Sequence, residues 1–122
     1  MKHPLKLAVL AACAVVFAST SASADVERGK KLFKTKCQSC HKMDEHAKGP
    51  MLSGVIGRKA GGTDFKQYKA LEGADFVWDE ANLSEWIADP KKFIGKSTTM
   101  AGKIKKEADP ESIIEYLKNP TD

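Results

Sequence analysis

The chain has 122 residues, which is the length of a single domain. It contains 20 Lys and Arg residues against 16 Asp and Glu residues, for a formal net charge of +4 at pH 7. This small positive excess excludes nucleic-acid binding as the main role of the chain, because phosphate backbones are bound by much larger basic surfaces.

The first 24 residues are predicted to be a secretory signal peptide. Two lysines are followed by an unbroken apolar run of twelve residues, 7–18, and then by small polar residues that end in Ala-Ser-Ala. This pattern is typical of a signal peptide, with cleavage expected between Ala24 and Asp25. Twelve helical residues rise only about 18 Å, short of a bilayer core of about 30 Å, so a membrane anchor is disfavoured. We expect a periplasmic domain of residues 25–122.

A second interpretation of this leader involves lipid attachment. Residues 10–13, Leu-Ala-Ala-Cys, are similar to the lipid-attachment box of bacterial lipoproteins, in which Cys13 would be acylated. That assignment shortens the apolar core to residues 7–12, the short end of the range for a signal peptide. Cleavage after Ala24 is favoured, and lipid anchoring at Cys13 is the alternative.

The domain begins with a predicted helix over residues 25–36, capped by the Asp25 carboxylate. Residues 41–62 are predicted to be loop, because five of them are glycine. A further short helix is predicted over residues 64–71. The apolar stripe of the first helix is expected to consist of Val26, Leu32 and Phe33.

Two more helices are predicted towards the C-terminus. Asp79 is placed to cap a helix that must stop before Pro90. Asp109 and Pro110 form a typical helix start, a capping carboxylate followed by proline at the first helical position, and Pro120 marks the end. Inward-facing apolar residues are expected at Leu83, Trp86 and Ile87 in the first of these helices and at Ile113, Ile114 and Leu117 in the second.

These elements predict an all-α domain without a sheet. A domain of about 100 residues has a poor ratio of buried to exposed surface, and chains this small are often stabilised by a disulfide, a metal or a cofactor. Residues 25–122 contain two cysteines, Cys37 and Cys40, so any such cross-link involves them. A haem would supply the cross-link and a large apolar body against which the loop of residues 41–62 packs.

Residues 37–41, Cys-Gln-Ser-Cys-His, match the C-x-x-C-H pattern of covalent haem attachment. The two thiols add to the two vinyl groups of the porphyrin, and a gap of two residues spans the distance between those groups. The next residue, His41, is then placed beneath the iron as the proximal ligand. The sequence therefore predicts a single haem c bound through Cys37 and Cys40.

Three other uses of the cysteine pair fit the sequence less well. A thioredoxin-like dithiol requires a strand-to-helix setting, and no strands are predicted. A structural zinc site requires four ligands, and His46 is the one further candidate in the mature chain. A plain disulfide would not require the adjacent histidine.

The second axial ligand of the iron must come from elsewhere, and the candidates are His46, Met43, Met51 and Met100. Met43 and His46 leave the motif on the same side of the porphyrin as His41, so they would have to cross the ring edge. Met100 is far enough along the chain for its loop to reach the opposite face of the porphyrin. It also lies in a polar segment, where an apolar side chain is unusual and suggests a specific role. A gap-filling role in the core is the usual fate of methionine, but with a haem bound we expect Met100 to be the ligand.

Residues that would support the haem are also predicted. A ligating imidazole usually donates its other N–H to an acceptor, and the Pro50 carbonyl is close enough in sequence to accept from His41. Buried propionates need donors, for which Arg58, Tyr68 and Trp78 are the candidates. Each aromatic residue taken singly could instead belong to the core.

Together these residues resemble the class I cytochromes c, in particular mitochondrial cytochrome c and bacterial cytochrome c2. The resemblance extends over essentially the whole mature chain and places Tyr68 and Trp78 as propionate donors. It also implies that the first and last helices cross at small and aromatic residues, with Gly29 and Phe33 against Tyr116 and Leu117. The segments that carry the resemblance are residues 29–33, 48–59, 68, 78, 89–94 and 115–118.

This resemblance implies a class I cytochrome c fold around one haem and a soluble one-electron carrier that works by outer-sphere transfer between respiratory or other periplasmic partners. Such a carrier is not an enzyme and binds no small-molecule substrate. We expect a monomer that docks transiently on acidic patches of redox proteins. The alternative is a haem enzyme or ligand sensor in which Met100 is easily displaced. The lysines expected around the exposed haem edge are Lys36, Lys91, Lys92 and Lys103.

Overall fold

A computed structural model describes residues 20–106 and 108–121 of the chain. Residues 1–19 of the predicted signal peptide, including Cys13, lie outside the described residues. Within the part that is described, no helix is long and apolar enough to cross a membrane.

The described residues form four α-helices joined by loops. Helix α1 spans Thr20–Leu32 and continues into a wider π-helical turn over Phe33–Cys37. Helix α2 is Glu80–Ala88, α3 is Pro90–Ile94 and α4 is Asp109–Lys118. Over the same described ranges, β-pairing is limited to one antiparallel bridge between Lys59 and Val77. The prediction of an all-α fold without a sheet is confirmed.

Helices α1 and α4 pack against each other at a point where α1 has no side chain. A Cβ atom on Gly29 would lie 1.9 Å from the Ser112 carbonyl oxygen, so the two backbones meet there directly. The Phe33 and Tyr116 rings pack one turn further on, with their centroids 5.3 Å apart. Arg28 adds an ion pair to the buried Asp109 at the start of α4. The predicted crossing of the first and last helices is therefore present.

Helices α2 and α3 are each started by an aspartate. Asp79 accepts from the Asn82 backbone N–H at 2.7 Å, and the Asn82 side chain accepts from the Asp79 N–H at 2.8 Å, which completes a capping box. Asp89 accepts from the Lys92 backbone N–H at 3.2 Å and caps α3, which begins at Pro90. The position of α2 matches the sequence prediction, whereas α3 was not predicted.

Aromatic rings fill the space between these helices. Trp78 lies 5.0 Å from Phe76 and 5.5 Å from Trp86, measured between ring centroids. Phe93 of α3 lies 6.0 Å from Trp78. Trp78 and Trp86 are 4% and 6% exposed, so both indoles belong to the core.

Three local predictions differ from the structure. Asp25 lies inside α1 and does not cap it, because the preceding Ala and Ser residues tolerate helix and extend it back to Thr20. Residues 64–71 form turns instead of a helix, since the Thr63 hydroxyl accepts from the Phe65 N–H and stabilises a local turn. Asp109 is the first residue of α4, and its carboxylate binds Arg28 rather than capping the helix.

Substitution of Gly29 by alanine should destabilise the protein. The added Cβ would overlap the Ser112 carbonyl, so the helices must separate, at a cost of about 1–3 kcal/mol for overpacking. Urea unfolding of the haem-loaded protein measures this change. Gly102→Ala is the matched control, because no atom lies within 4 Å of a Cβ built there. Equal free energies of unfolding for the two variants would contradict the crossing geometry.

Candidate haem site

The C-x-x-C-H motif lies directly after the π-helical turn. The Gln38 N–H donates to the Phe33 carbonyl at 2.9 Å, a five-residue step that widens the end of the helix. The Thr35 hydroxyl also bonds back to the Lys31 carbonyl at 3.1 Å. The widened turn leaves Cys37 buried and Cys40 exposed.

The motif then closes on itself. The backbone N–H groups of Cys40 and His41 both donate to the Cys37 carbonyl, at 3.1 and 2.8 Å. One tight turn therefore carries both thiols and the imidazole. This compactness is what attachment of a single flat cofactor at two points and ligation of its metal require.

The surroundings of the buried Cys37 thiol do not favour its thiolate form. Burial raises the pKa of the unmodified Cys37 thiol to about 11, and the nearby Cys40 adds to the rise. Redox-active dithiols need a lowered pKa to form a thiolate. The dithiol hypothesis is therefore disfavoured by electrostatics as well as by fold.

The His41 ring is held by the loop that follows it. Its Nδ1 donates to the Pro50 carbonyl at 2.8 Å, which is the contact expected from the sequence and leaves Nε2 as the free donor atom for a metal. A Cβ on Gly49 would lie 2.4 Å from the ring carbon Cε1, so this glycine lets the loop close over the imidazole. Burial lowers the pKa of His41, and the neutral imidazole is the form that binds metals.

The other candidate ligands near the motif have different surroundings. His46 accepts from the Met51 backbone N–H at 3.1 Å and donates from Nε2 to the Asp64 carboxylate at 2.6 Å. Both of its ring nitrogens are thus engaged. Met43 and Met51 are partly buried, and Met43 packs against the core. Among the described residues, no three His, Cys, Asp or Glu side chains are grouped to hold a metal ion.

The Met100 sulfur is fixed by a residue whose role was not predicted. The Trp86 indole N–H donates to Met100 Sδ at 3.1 Å. The Met100 backbone N–H donates to the Thr98 hydroxyl at 3.1 Å, which orders the segment around it. The spacing of apolar residues in α2 predicts only that Trp86 faces the core. Its hydrogen-bond partner lies 14 positions away, in a loop whose position sequence patterns do not predict.

The three predicted propionate donors, Arg58, Tyr68 and Trp78, lie in one region of the structure. The Trp78 backbone N–H donates to the Arg58 backbone carbonyl at 2.9 Å, so these two residues are neighbours beside the Lys59–Val77 bridge. Tyr68 is close enough to Arg58 to oppose the lowering of the Arg58 pKa that burial causes. The Tyr68 hydroxyl shares a hydrogen bond of 2.6 Å with the Thr63 hydroxyl.

The hydrogen bonds of Arg58 indicate whether this region fits a haem. One of its terminal nitrogens donates to the Met51 carbonyl at 2.9 Å, while its buried Nε has no hydrogen-bond partner among the described residues. Leaving a buried donor unpaired costs about 1–3 kcal/mol. A propionate carboxylate would satisfy it, and guanidinium groups bind carboxylates well. The donor set therefore fits a haem whose propionates approach Arg58.

An all-α fold in which a C-x-x-C-H turn presents an oriented histidine is typical of a c-type cytochrome, and the comparisons below show that it belongs to class I. A family model described as Cytochrome c matches residues 26–120. Cytochrome c of Sesamum indicum is 36% identical over 101 residues, which cover 80% of this chain and 91% of that protein. Cytochrome c2 of Rhodopseudomonas palustris is 41% identical over 86 residues, covering 67% of this chain and 75% of its own.

Solved structures agree with the sequence comparisons. The structure of cytochrome cH from Methylobacterium extorquens matches with a TM-score of 0.69 at 35% identity, covering 77% of this chain and 97% of that one. The chain therefore belongs to the cytochrome c family. Its cofactor is one covalently attached haem c, and its function is electron transfer.

Replacement of Arg58 should change the reduction potential through its charge. Arg58→Met removes a cation near the haem, and a unit charge about 10 Å away is worth roughly 1–2 kcal/mol at an effective dielectric constant near 20. The potential should fall by tens of millivolts, because the ferrous state loses stabilisation. Arg58→Lys is the control, since it removes the guanidinium but keeps the charge, and it should stay near the wild type. Equal potentials in a redox titration of all three proteins would place Arg58 away from the haem.

Proposed function

We propose that the chain is a soluble one-electron carrier, not an enzyme, whose haem iron is ligated by His41 and Met100. The observation that carries this proposal is that both ligand side chains are held in advance by protein hydrogen bonds. The Pro50 carbonyl orients the imidazole at 2.8 Å, and the Trp86 indole holds the sulfur at 3.1 Å. Two pre-oriented donors leave no metal position for a substrate.

The chain's residues have three tasks in this mechanism. When bound, the haem supplies a one-electron couple between ferric and ferrous iron, whose potential a histidine–methionine pair raises. His41 binds as a neutral imidazole and keeps its proton on Nδ1, facing Pro50. The Trp86 N–H draws electron density from the sulfur, which favours the ferrous state. The packed rings of Trp78, Trp86 and Phe93 exclude water and resist rearrangement between redox states.

Met100→Ala should lower the reduction potential and open the iron to carbon monoxide. Trp86→Phe is the matched comparison, because it keeps the sulfur and removes only its hydrogen bond. A net bond of about 0.5–1.5 kcal/mol corresponds to tens of millivolts for one electron, so the potential of Trp86→Phe should fall by that amount. Its near-infrared methionine band should persist and its ferrous form should bind no carbon monoxide.

The spectrum of the unmodified protein also decides between carrier and enzyme. A high-spin ferric spectrum without added ligand would support the alternative of a haem enzyme or sensor with a displaceable methionine. A Met100→Ala protein with unchanged potential and no carbon monoxide binding would show that another residue is the ligand.

We further propose export of the chain to the periplasm, with residues 25–122 as the mature domain and lipid attachment at Cys13 as the alternative to cleavage after Ala24. The proposal is supported by the leader pattern. It is compatible with the fold because the residues that contact α4 all follow the expected cleavage point: Arg28 and Gly29 of α1, and Phe33 of the π-helical turn.

The mature protein is proposed to act as a monomer that docks on acidic redox partners through lysines around the haem edge. Lys36, Lys91 and Lys92 are exposed, as this role requires. Lys103 is also exposed, but its ammonium lies 3.6 Å from the Asp89 carboxylate, so part of its charge is already compensated. Steering should therefore depend more on Lys91 and Lys92 than on Lys103.

Electron exchange with an anionic probe should be faster at low salt. The rate of oxidation by ferricyanide should fall several-fold between about 0.01 M and 0.15 M salt, as the Debye length shrinks from about 30 Å to about 8 Å. Lys91→Glu with Lys92→Glu should remove most of this dependence. Lys31→Glu with Lys34→Glu makes the same charge change on exposed residues of the α1 and π-turn region and should retain more of it. Rates that do not change with salt would contradict the docking proposal.

A further inference from the structure

The segment that carries Met100 has few bonds of its own. Residues 95–102, here called the methionine segment, follow α3 and include six exposed residues. Gly95 ends α3 in a left-handed conformation, with φ at 75°. Within the segment, the Met100 N–H bond to the Thr98 hydroxyl is local and does not attach it to the core. Besides the Trp86 N–H bond to the Met100 sulfur, which attaches the middle of the segment to α2, contacts at its two ends hold it in place.

Two sets of contacts connect the ends of the methionine segment to α2 and to the junction of α2 and α3. The Ile104 N–H, just beyond the segment, donates to the Ile87 carbonyl of α2 at 3.1 Å. Asp89, at the junction of α2 and α3, uses its two carboxylate oxygens separately. Oδ1 caps α3 through the Lys92 N–H, and Oδ2 lies 3.6 Å from the Lys103 ammonium and 3.8 Å from the Lys105 ammonium.

One partner in this cluster is sheltered and two are exposed. The Asp89 side chain is 17% exposed, whereas those of Lys103 and Lys105 are 51% and 65% exposed. The contacts are too long for strong hydrogen bonds, so they act mainly through charge. The Lys92 N–H bond, together with Lys103 and Lys105, lowers the pKa of Asp89, which keeps the carboxylate charged at neutral pH.

We propose that Asp89 is a positioning residue whose ion pairs with Lys103 and Lys105 hold the methionine segment closed and slow the release of Met100 from the iron. The inference rests on the proposed ligation by Met100. Entry of an outside ligand requires the sulfur to leave, and the segment must swing away from α2 for that to happen. The ion pairs oppose this movement because Asp89 precedes the segment in the chain and both lysines follow it, so the pairs hold its two ends together.

Asp89→Asn is the informative variant. The amide oxygen still accepts from the Lys92 N–H and preserves the cap, but the charge that attracts Lys103 and Lys105 is lost. Exposed ion pairs are worth about 0.2–1 kcal/mol each, but these two share one carboxylate oxygen and do not add fully. A combined loss of about 0.4–1.4 kcal/mol corresponds to an opening rate about two- to tenfold higher. Asp79→Asn is the matched control, because Asp79 caps α2 in the same way and its carboxylate binds the Asn82 N–H.

The rate is measured with imidazole as the outside ligand. The ferric, haem-loaded protein is mixed with saturating imidazole, and loss of the near-infrared methionine band is followed by stopped flow. Asp89→Asn should react about two- to tenfold faster than the wild type, and Asp79→Asn should match the wild type. Raising the salt should accelerate the wild type towards Asp89→Asn and leave the variant unchanged, because screening weakens the same pairs.

A second set of variants leaves the α3 cap untouched. Lys103→Gln with Lys105→Gln should reproduce the effect of Asp89→Asn, and combining all three changes should add little more. Lys106→Gln, a neighbouring exposed lysine, supplies a control for net charge and should react at the wild-type rate. The lysine variants therefore test the proposal even where Asp89→Asn fails to fold.

Two outcomes separate this inference from the proposed function. In the first, the wild type shows the methionine band but reacts at the same rate as Asp89→Asn and as the double lysine variant. This result would contradict the positioning role of Asp89 and leave the ligand assignment intact. A wild type without the band would overturn ligation by Met100, and with it the effect on ligand release. Amide hydrogen exchange at Ile104, which should speed up by the same two- to tenfold in Asp89→Asn, reports closure of the segment independently of the iron.

Discussion

The hydrogen bond from the His41 imidazole to the Pro50 carbonyl fixes one side of the haem site, and much of the surrounding structure is arranged so that it can form. The turn over residues 37–41 brings the ring next to the two thiols. Gly49 lets the following loop approach the ring, where any larger residue would overlap it. The bond also sets the tautomer, with the proton on Nδ1, and leaves Nε2 able to bind a metal.

Because both thiols and the imidazole are on one tight turn, the opposite face of the haem must be supplied by a distant part of the chain. Helix α2 supports Met100, the proposed ligand of that face. Its Trp86 holds the Met100 sulfur, and Asp89 at its end bonds to α3 and attracts lysines beyond the methionine segment. In the mechanism proposed above, the same short region positions the ligand and restricts the movement that would release it.

The accuracy of the sequence-based predictions follows the range of the interactions involved. Helix α2 was placed correctly because its signals, Asp79 and Pro90, act within a few residues. The helix expected over residues 64–71 was wrong, since a single hydroxyl, that of Thr63, stabilises a turn there. The sequence predicts that Asp109 caps α4, but its carboxylate pairs with Arg28, whose position depends on how α1 and α4 cross.

By itself the sequence determined the all-α class, the attachment motif and the identity of the cofactor, because these depend on residue types at short, fixed spacing. It also indicated the acceptor for His41, which lies only nine positions away. Only the tertiary structure showed that Trp86 bonds to the sulfur of Met100 and that Asp89 faces Lys103 and Lys105. These contacts join residues whose separation in the chain is bridged by packing, and local patterns carry no information about which distant polar groups meet.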